Sequence, residues 1–356
     1  MINIRQYKYP IEIFRSDDYD EVTELFIRIN SGGTRLKRAE LALAKLALRW
    51  PTSISRVFQD TISGYEDQGF DIDSRFLIRC LVSVVTGQSR FMYLDDKLWN
   101  LPQGEIKKRW KQTKSGLDNT LTFLRENLSI DSSNVLSSIN ALVPLVVFLS
   151  TANKLSDSDR RRLEYWFCAA SLTGRYSARV ETNLDQDLAT LRSKDPIGGL
   201  IGNLGLQPRG LEITTSDLEG RSTSSPYFML SYIMARKNKA KDWFLPLGVS
   251  KSGIGDSNSI EIHHIFPRGR LNDIYDDDEI NDISNLAFLA QRANRGILMS
   301  DPAKYLKTID KERLKEQYVP LDQNIWTIKR YRDFLKARRA ELANAMSKFL
   351  VDLRPY

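Results

Sequence analysis

Both histidines of the 356-residue chain stand side by side, in Glu261-Ile262-His263-His264-Ile265-Phe266-Pro267. Ile260, Ile262, Ile265 and Phe266 make this run apolar and β-prone, and Pro267 ends it. The expectation is a short strand that stops at a turn. Successive side chains of a strand point to opposite faces, so the two imidazoles should do different jobs. One can hold a metal ion while its neighbour activates a water. A histidine pair packed for structure in a hairpin is the competing explanation, and what lies downstream weighs against it.

Downstream stand Asn285-Leu286-Ala287-Phe288-Leu289 and then Ala290-Gln291-Arg292-Ala293-Asn294-Arg295-Gly296, a pattern of a second strand running into a helix. Together the two stretches resemble the HNH (ββα-metal) nucleases, whose motif is Asp-His-Ile-x-Pro, a loop, Asn-Leu-x-x-Leu, then Asn or His on the helix. The resemblance implies that His263 stands in the place of a metal-binding Asp and His264 in that of the general base. It further implies that Asn285 orients the base and pins the loop, and that Asn294 is the second metal ligand. Arg268, Arg292 and Arg295 flank these positions and are candidate DNA contacts. His in place of the usual Asp keeps a ligand but removes a negative charge. Where many HNH proteins carry Cys-x-x-Cys knuckles this chain has Ala290 and Ala293, so no structural zinc is expected.

Phosphodiester hydrolysis needs a water made nucleophilic near neutral pH, and neutral His is suited to that. It also needs a cation for the charge that develops on phosphorus and on the leaving oxygen. One imidazole and one amide oxygen leave several coordination positions for waters and phosphate oxygens, which suits Mg²⁺ or Mn²⁺.

Near the start, Phe26-Ile27-Arg28-Ile29-Asn30-Ser31-Gly32-Gly33-Thr34-Arg35-Leu36 resembles the end of the ParB-like nucleotide-binding domain of Gmr-type (type IV) modification-dependent restriction enzymes and related phage-defence proteins. In that family a helical region and an HNH domain follow, the order found here. The family's nucleotide site centres on Asp-Gly-Gln-Gln-Arg, a string absent from this sequence. The expectation is a fragment or truncated homologue that begins at the last strand of that domain, with nucleotide control residing in a missing or separate domain.

A net charge of +7 and a pI near 9.2 are compatible with a polyanionic partner. Hydrophobic and charged fractions of 42% and 27% are those of a globular protein. Cys80 and Cys168 match no metal knuckle and fit buried, reduced thiols. The start carries no signal-peptide core, and the longest apolar run, residues 141–149, is too short to span a bilayer. A cytoplasmic protein without membrane contact is the expectation, and a homodimer, one chain per DNA strand, is left open.

The fold class expected is mainly α with a small α+β module: a helical body followed by a C-terminal ββα-metal module. The divisions fall at residues 1–60, 61–245 and 246–356. Apolar stripes at helical spacing run through Phe76, Leu77, Cys80, Leu81 and Val84, and through Leu117, Leu121, Leu124 and Leu128. Residues 135–151 are nearly all apolar, with a kink expected at Pro144. Ser156, Thr182 and Pro226 mark helix starts, residues 198–210 a Gly-rich loop, and Asp276-Asp277-Asp278-Glu279 a solvated turn. Basic clusters at Lys107-Lys108-Arg109, Arg160-Arg161-Arg162 and Lys329-Arg330-Tyr331-Arg332 are ordinary solvated faces or tracks for phosphate. The leading expectation is a DNA endonuclease used against phage or modified foreign DNA. The alternatives are a DNA-binding or assembly module with a degenerate HNH site, and an RNase.

Overall fold

The computed structural model describes residues 54–90, 101–152, 154–206, 210–245, 248–249, 260–290 and 300–355, with a few isolated positions before them. Among these the chain is mainly helical with one two-stranded antiparallel sheet. No described helix is long and apolar enough to cross a membrane.

The body is built from α1 (Ile54–Glu66), α2 (Ser74–Thr86), α3 (Gln103–Leu128), α4 (Leu142–Leu149), α5 (Asp157–Leu172), α6 (Val180–Thr190), α7 (Pro196–Gly202) and α8 (Pro226–Lys237). The apolar stripes become its core. Phe76, Leu77, Cys80 and Leu81 of α2 are buried, as are Leu117, Leu121, Leu124 and Leu128 of α3. The ends follow from short polar side chains. Asp73 accepts the Phe76 N–H to start α2, Ser156 accepts the Asp159 N–H to start α5, and Ser225 with Pro226 starts α8.

Three local expectations give way. Pro144 does not kink a long helix: two 3₁₀ turns, Ser133–Val135 and Ile139–Ala141, precede α4, and Pro144 falls in its first turn, where a missing N–H breaks no bond. Residues 198–202 are helical, not a loop. Asp195 accepts the Gly198 N–H at 3.0 Å, Pro196 opens the first turn, and a side chain on Gly199 would meet Thr190 Cγ2 at 2.3 Å. Helix α6 begins at Val180, ahead of Thr182, after Arg179 at φ 51°.

Strands β1 (Ile260–His264) and β2 (Leu286–Ala290) pair in antiparallel register, with His263 opposite Ala287 and His264 opposite Leu286. Between them lie α9 (Arg268–Leu271) and α10 (Asp277–Ile280), and beyond them α11 (Pro302–Tyr305), α12 (Lys311–Glu316) and α13 (Tyr331–Leu353). The acidic run is the start of α10, where Asp276 and Glu279 form a capping box and the carboxylates meet a helix N-terminus. Alternation makes the hairpin a wall between two cores. Ile262, Leu286 and Phe288 pack into the core of the helical body, with Phe288 against Phe228 and Tyr232. Ala287, Leu289, Ile265 and Phe266 pack into a second core with Trp243, Tyr305, Trp326, Tyr331 and Phe334. Along α13, Phe334 and Leu335 enter the second core, while Leu342, Met346 and Phe349 enter the first.

An isolated two-stranded hairpin is marginal in water. Here its outer edge is closed by side chains. Gln317 accepts the Phe288 N–H at 2.8 Å and donates to the Phe288 carbonyl at 3.0 Å, and buried Asp242 accepts the Ala290 N–H at 2.7 Å. Arg338, 3% exposed, donates to the carbonyls of Ser284, Gln317 and Tyr318, with burial pulling its pKa down to about 10. Helix α13 thus grips both ends of the clamp around β2.

Candidate functional site

The opposed faces expected for the two imidazoles are realised. His263 points into the second core and is 3% exposed. Its ring stands edge-on to Trp243 at 5.9 Å and to Tyr305 at 6.2 Å between centroids, and its Nε2 lies 3.4 Å from the Tyr305 hydroxyl. That hydroxyl donates to the Ile265 carbonyl at 2.6 Å, and burial holds it protonated. The indole N–H of Trp243 is buried without a hydrogen-bond partner among the described residues.

His264 is half-buried at the end of β1, its Nε2 3.1 Å from Asn281 Oδ1. Burial lowers its pKa, the Asn281 hydrogen bond partly opposes this, and the nearby Arg268 charge lowers it further. The net shift is downward and sets its balance toward neutral imidazole at pH 7, the form a base needs. Asn281 stands at the C-cap of α10 and donates through Nδ2 to the Asp277 carbonyl at 2.8 Å.

Asn285 is fully buried and spans the turn that follows His264. Its Oδ1 accepts the Phe266 N–H at 2.8 Å, and its Nδ2 donates to the carbonyls of Phe266 at 3.1 Å and Ile280 at 2.9 Å. Its own carbonyl accepts the Ile265 N–H at 2.8 Å, which prolongs the strand pairing by one bond. One side chain thereby joins the end of β1, the end of α10 and the start of β2. Behind it Asp282, also buried, accepts from Arg339 at 2.6 Å, from the Ser284 N–H at 2.8 Å and from the Gly220 N–H at 2.9 Å.

The structure therefore brings His263, His264 and Asn285 together around one turn. Arg268 joins them: it is exposed, pairs with Asp277 at 3.0 Å, and its charge is felt at His264. An exposed pair of that kind is worth about 0–1 kcal/mol, so a phosphate can take the carboxylate's place. Asn294, Arg292 and Arg295 lie outside the described residues, as does the expected Phe26–Leu36 string. Lys107, Lys108 and Arg109 sit on α3 of the body. Lys107 lies 5.9 Å from the Trp50 ring, and Lys108 and Arg109 pair with Glu105 at 3.6 and 3.1 Å. Of the other basic clusters, Arg162 holds Asp195 at 2.6 Å and Arg332 holds Glu279 at 2.6 Å.

Among the described residues no three His, Cys, Asp or Glu side chains converge as a metal cage. The donors that remain are of the open kind. His263 presents a ring whose far nitrogen faces a hydroxyl, the arrangement in which outer groups orient metal-binding imidazoles. Glu261 lies two residues earlier on the same face of β1, so a carboxylate oxygen is within the same strand. Asn281, Tyr305 and Trp243 were not among the residues singled out from the sequence. Their only signal there is residue type, because the contacts are made across a folded turn and a packed core. No family model matches this chain, and no curated protein matches it.

Proposed function

We propose that the chain is a metal-dependent endonuclease of the HNH kind, acting on DNA in restriction of phage or modified foreign DNA. The observation that supports this reading is the turn itself: a half-buried imidazole with a lowered pKa, on a strand end braced by the three hydrogen bonds of the Asn285 side chain. His264 is the base that takes the proton of an attacking water. Asn285 holds the backbone on which that imidazole is mounted. His263 and Asn294 are the ligands that would hold Mg²⁺ or Mn²⁺, with Glu261 on the same face of β1. The ion supplies charge neutralisation at the scissile phosphate when bound. Arg268, with Arg292 and Arg295 of the following segment, meets backbone phosphates. Such contacts position DNA without reading its sequence.

The test is plasmid nicking by purified protein with Mg²⁺ or Mn²⁺, with chelator as control. Metal-dependent nicking is expected. Its rate should fall steeply over roughly 50–200 mM salt, because phosphate contacts release counterions. Absence of nicking across metals and DNA substrates overturns the reading.

One observation favours a second reading. His263 stands where the resembled motif has Asp and is 3% exposed, which suits a degenerate site in a DNA-binding or assembly module. A gel shift without nicking selects that reading. Replacing His263 separates the two further. In the nuclease reading His263→Ala and Asn294→Ala weaken the hold on metal, so extra Mn²⁺ restores part of the nicking rate, whereas it restores nothing to His264→Ala. Equal restoration of all three sinks this division of roles.

A further inference from the structure

We propose that Arg338 and Arg339 are positioning residues that fix the turn Asp282–Asn285 on α13, and through it Asn281 and Asn285, the two side chains that hold His264 and its strand end. The consequence for rate rests on the nuclease reading; the hold on the turn is read from hydrogen bonds alone.

Helix α13 meets the segment between α10 and β2 at Glu279, Asp282 and Ser284. At its first turn the Tyr331 hydroxyl donates to the Glu279 carbonyl at 2.6 Å, and Arg332 takes the Glu279 carboxylate with two bonds, at 2.6 and 3.0 Å. Arg338 and Arg339 stand about two helical turns further on. Arg339 donates to the Asp282 carboxylate at 2.6 Å, and the pair is nearly closed to solvent, with side-chain exposures of 12% and 0%. Arg338 donates to the Ser284 carbonyl at 3.0 Å and, with its other nitrogens, to the carbonyls of Gln317 at 2.9 Å and Tyr318 at 3.1 Å. Successive residues of one helix therefore grip the turn at the carboxylate that caps it and at the carbonyl that leads into Asn285. Asn281 is the residue before the first grip, and Asn285 is the residue after the second.

The helical body holds the same turn from another side. The Gly220 N–H donates to Asp282 at 2.9 Å, and the Ile283 N–H donates to the Arg221 carbonyl at 2.7 Å. Leu342, Met346 and Phe349 of α13 lie in the body core, so the turn is set by the body and not by the hairpin alone. The choice of arginine points the same way. A buried cation is costly, and hydrocarbon of similar volume would fill the space with less loss. What the guanidinium adds is a rigid planar fork that reaches the carbonyls of separate segments at once.

Native-state hydrogen exchange of the full-length chain reads the turn without any activity. The reporters are the Phe266 amide, bonded to Asn285 Oδ1, and the Asn285 amide, bonded to the Asp282 carbonyl. In the wild type both are expected to open in the same event as the amides of Arg338 and Arg339, with one denaturant dependence. Reporters that open while α13 stays closed overturn the proposal, even where a variant fails to fold. In Arg339→Gln and Arg338→Leu the reporters should exchange about 10–100-fold faster, the scale of stranding buried polar partners. That factor should exceed the one for Leu121 and Leu124 in α3. Unchanged reporters, or an equal factor in α3, overturn the proposal as well.

Rate separates positioning from mere support. In both variants kcat should fall about 10²-fold, the cost of a slightly misplaced catalytic group, with DNA affinity unchanged. Arg339→Lys keeps a cation on Asp282 and should regain most of kcat. Arg338→Lys should not, because an ammonium cannot span three carbonyls as the fork does. Affinity that falls in step with kcat, or equal loss in the two Lys variants, ends the positioning role. A chain whose reporters behave as expected yet never nicks DNA keeps the hold on the turn and ends the nuclease reading. A nicking chain whose kcat ignores both arginines does the reverse.

Discussion

Replacing His264 by Ala is expected to lower metal-dependent nicking by about 10²–10⁴-fold, the usual cost of losing a general base. The protein should stay folded and keep its DNA affinity. His264 lies at the strand end, and the bonds that brace the turn are made by Asn285, so the backbone keeps its supports when the imidazole goes. What is lost is one contact to Asn281 and the imidazole that the nuclease reading makes the base. The residual rate reports phosphate charge neutralisation and orientation alone. The measurement is the initial nicking rate at saturating metal, set beside DNA affinity by fluorescence anisotropy and the circular dichroism spectrum. A variant that keeps more than about a tenth of the wild-type rate, far above the general-base range, removes His264 from the base role. A variant that loses affinity in step with rate assigns it to binding instead.

How far the sequence foretells this site can be followed residue by residue. The alternation of a strand was enough to put His263 and His264 on opposite faces, because that depends only on backbone geometry. The role of Asn285 as a brace was legible because a motif of fixed spacing carries it, and the side chain does span the turn. The inward rows of α2 and α3 were legible for the same local reason, periodicity. Asn281 and Tyr305 were not. Each reaches its imidazole through a turn or a core whose path no local pattern encodes, and an Asn in an acidic run has the composition of a solvated loop. The Gly-rich stretch misled in the opposite direction. Gly199 permits close approach to Thr190 within a helix that Asp195 and Pro196 start, so what composition suggested as a loop is, over residues 198–202, packed helix. The burial of His263 was also not legible, since the aromatic slot of Trp243 and Tyr305 is assembled from segments on either side of the hairpin.

Asn285→Ala is expected to have the largest effect on stability of any single change at the site. The side chain is fully buried and satisfies three backbone groups: the N–H and carbonyl of Phe266 and the carbonyl of Ile280. Alanine leaves all three without that partner in a place where water does not replace it. Each buried unsatisfied group costs about 1–3 kcal/mol, and the costs overlap because the turn relaxes, so a loss on the order of 3 kcal/mol is expected. Asp does not repair it: its oxygens cannot donate to the two carbonyls, and a charge would be buried without a cation on that atom. In denaturant unfolding the midpoint should fall while the slope stays unchanged, since the surface exposed on unfolding is the same. Nicking should fall as well, because the turn carries His264, and cooling should recover part of it as the turn re-forms. The two losses have one cause, so they should track each other across Asn285→Ala, Asn285→Ser and Asn285→Asp. An Ala variant within about 0.5 kcal/mol of wild type, the range of an ordinary surface substitution, would show that the brace is not made in solution, and with it would go the observation on which the nuclease assignment stands.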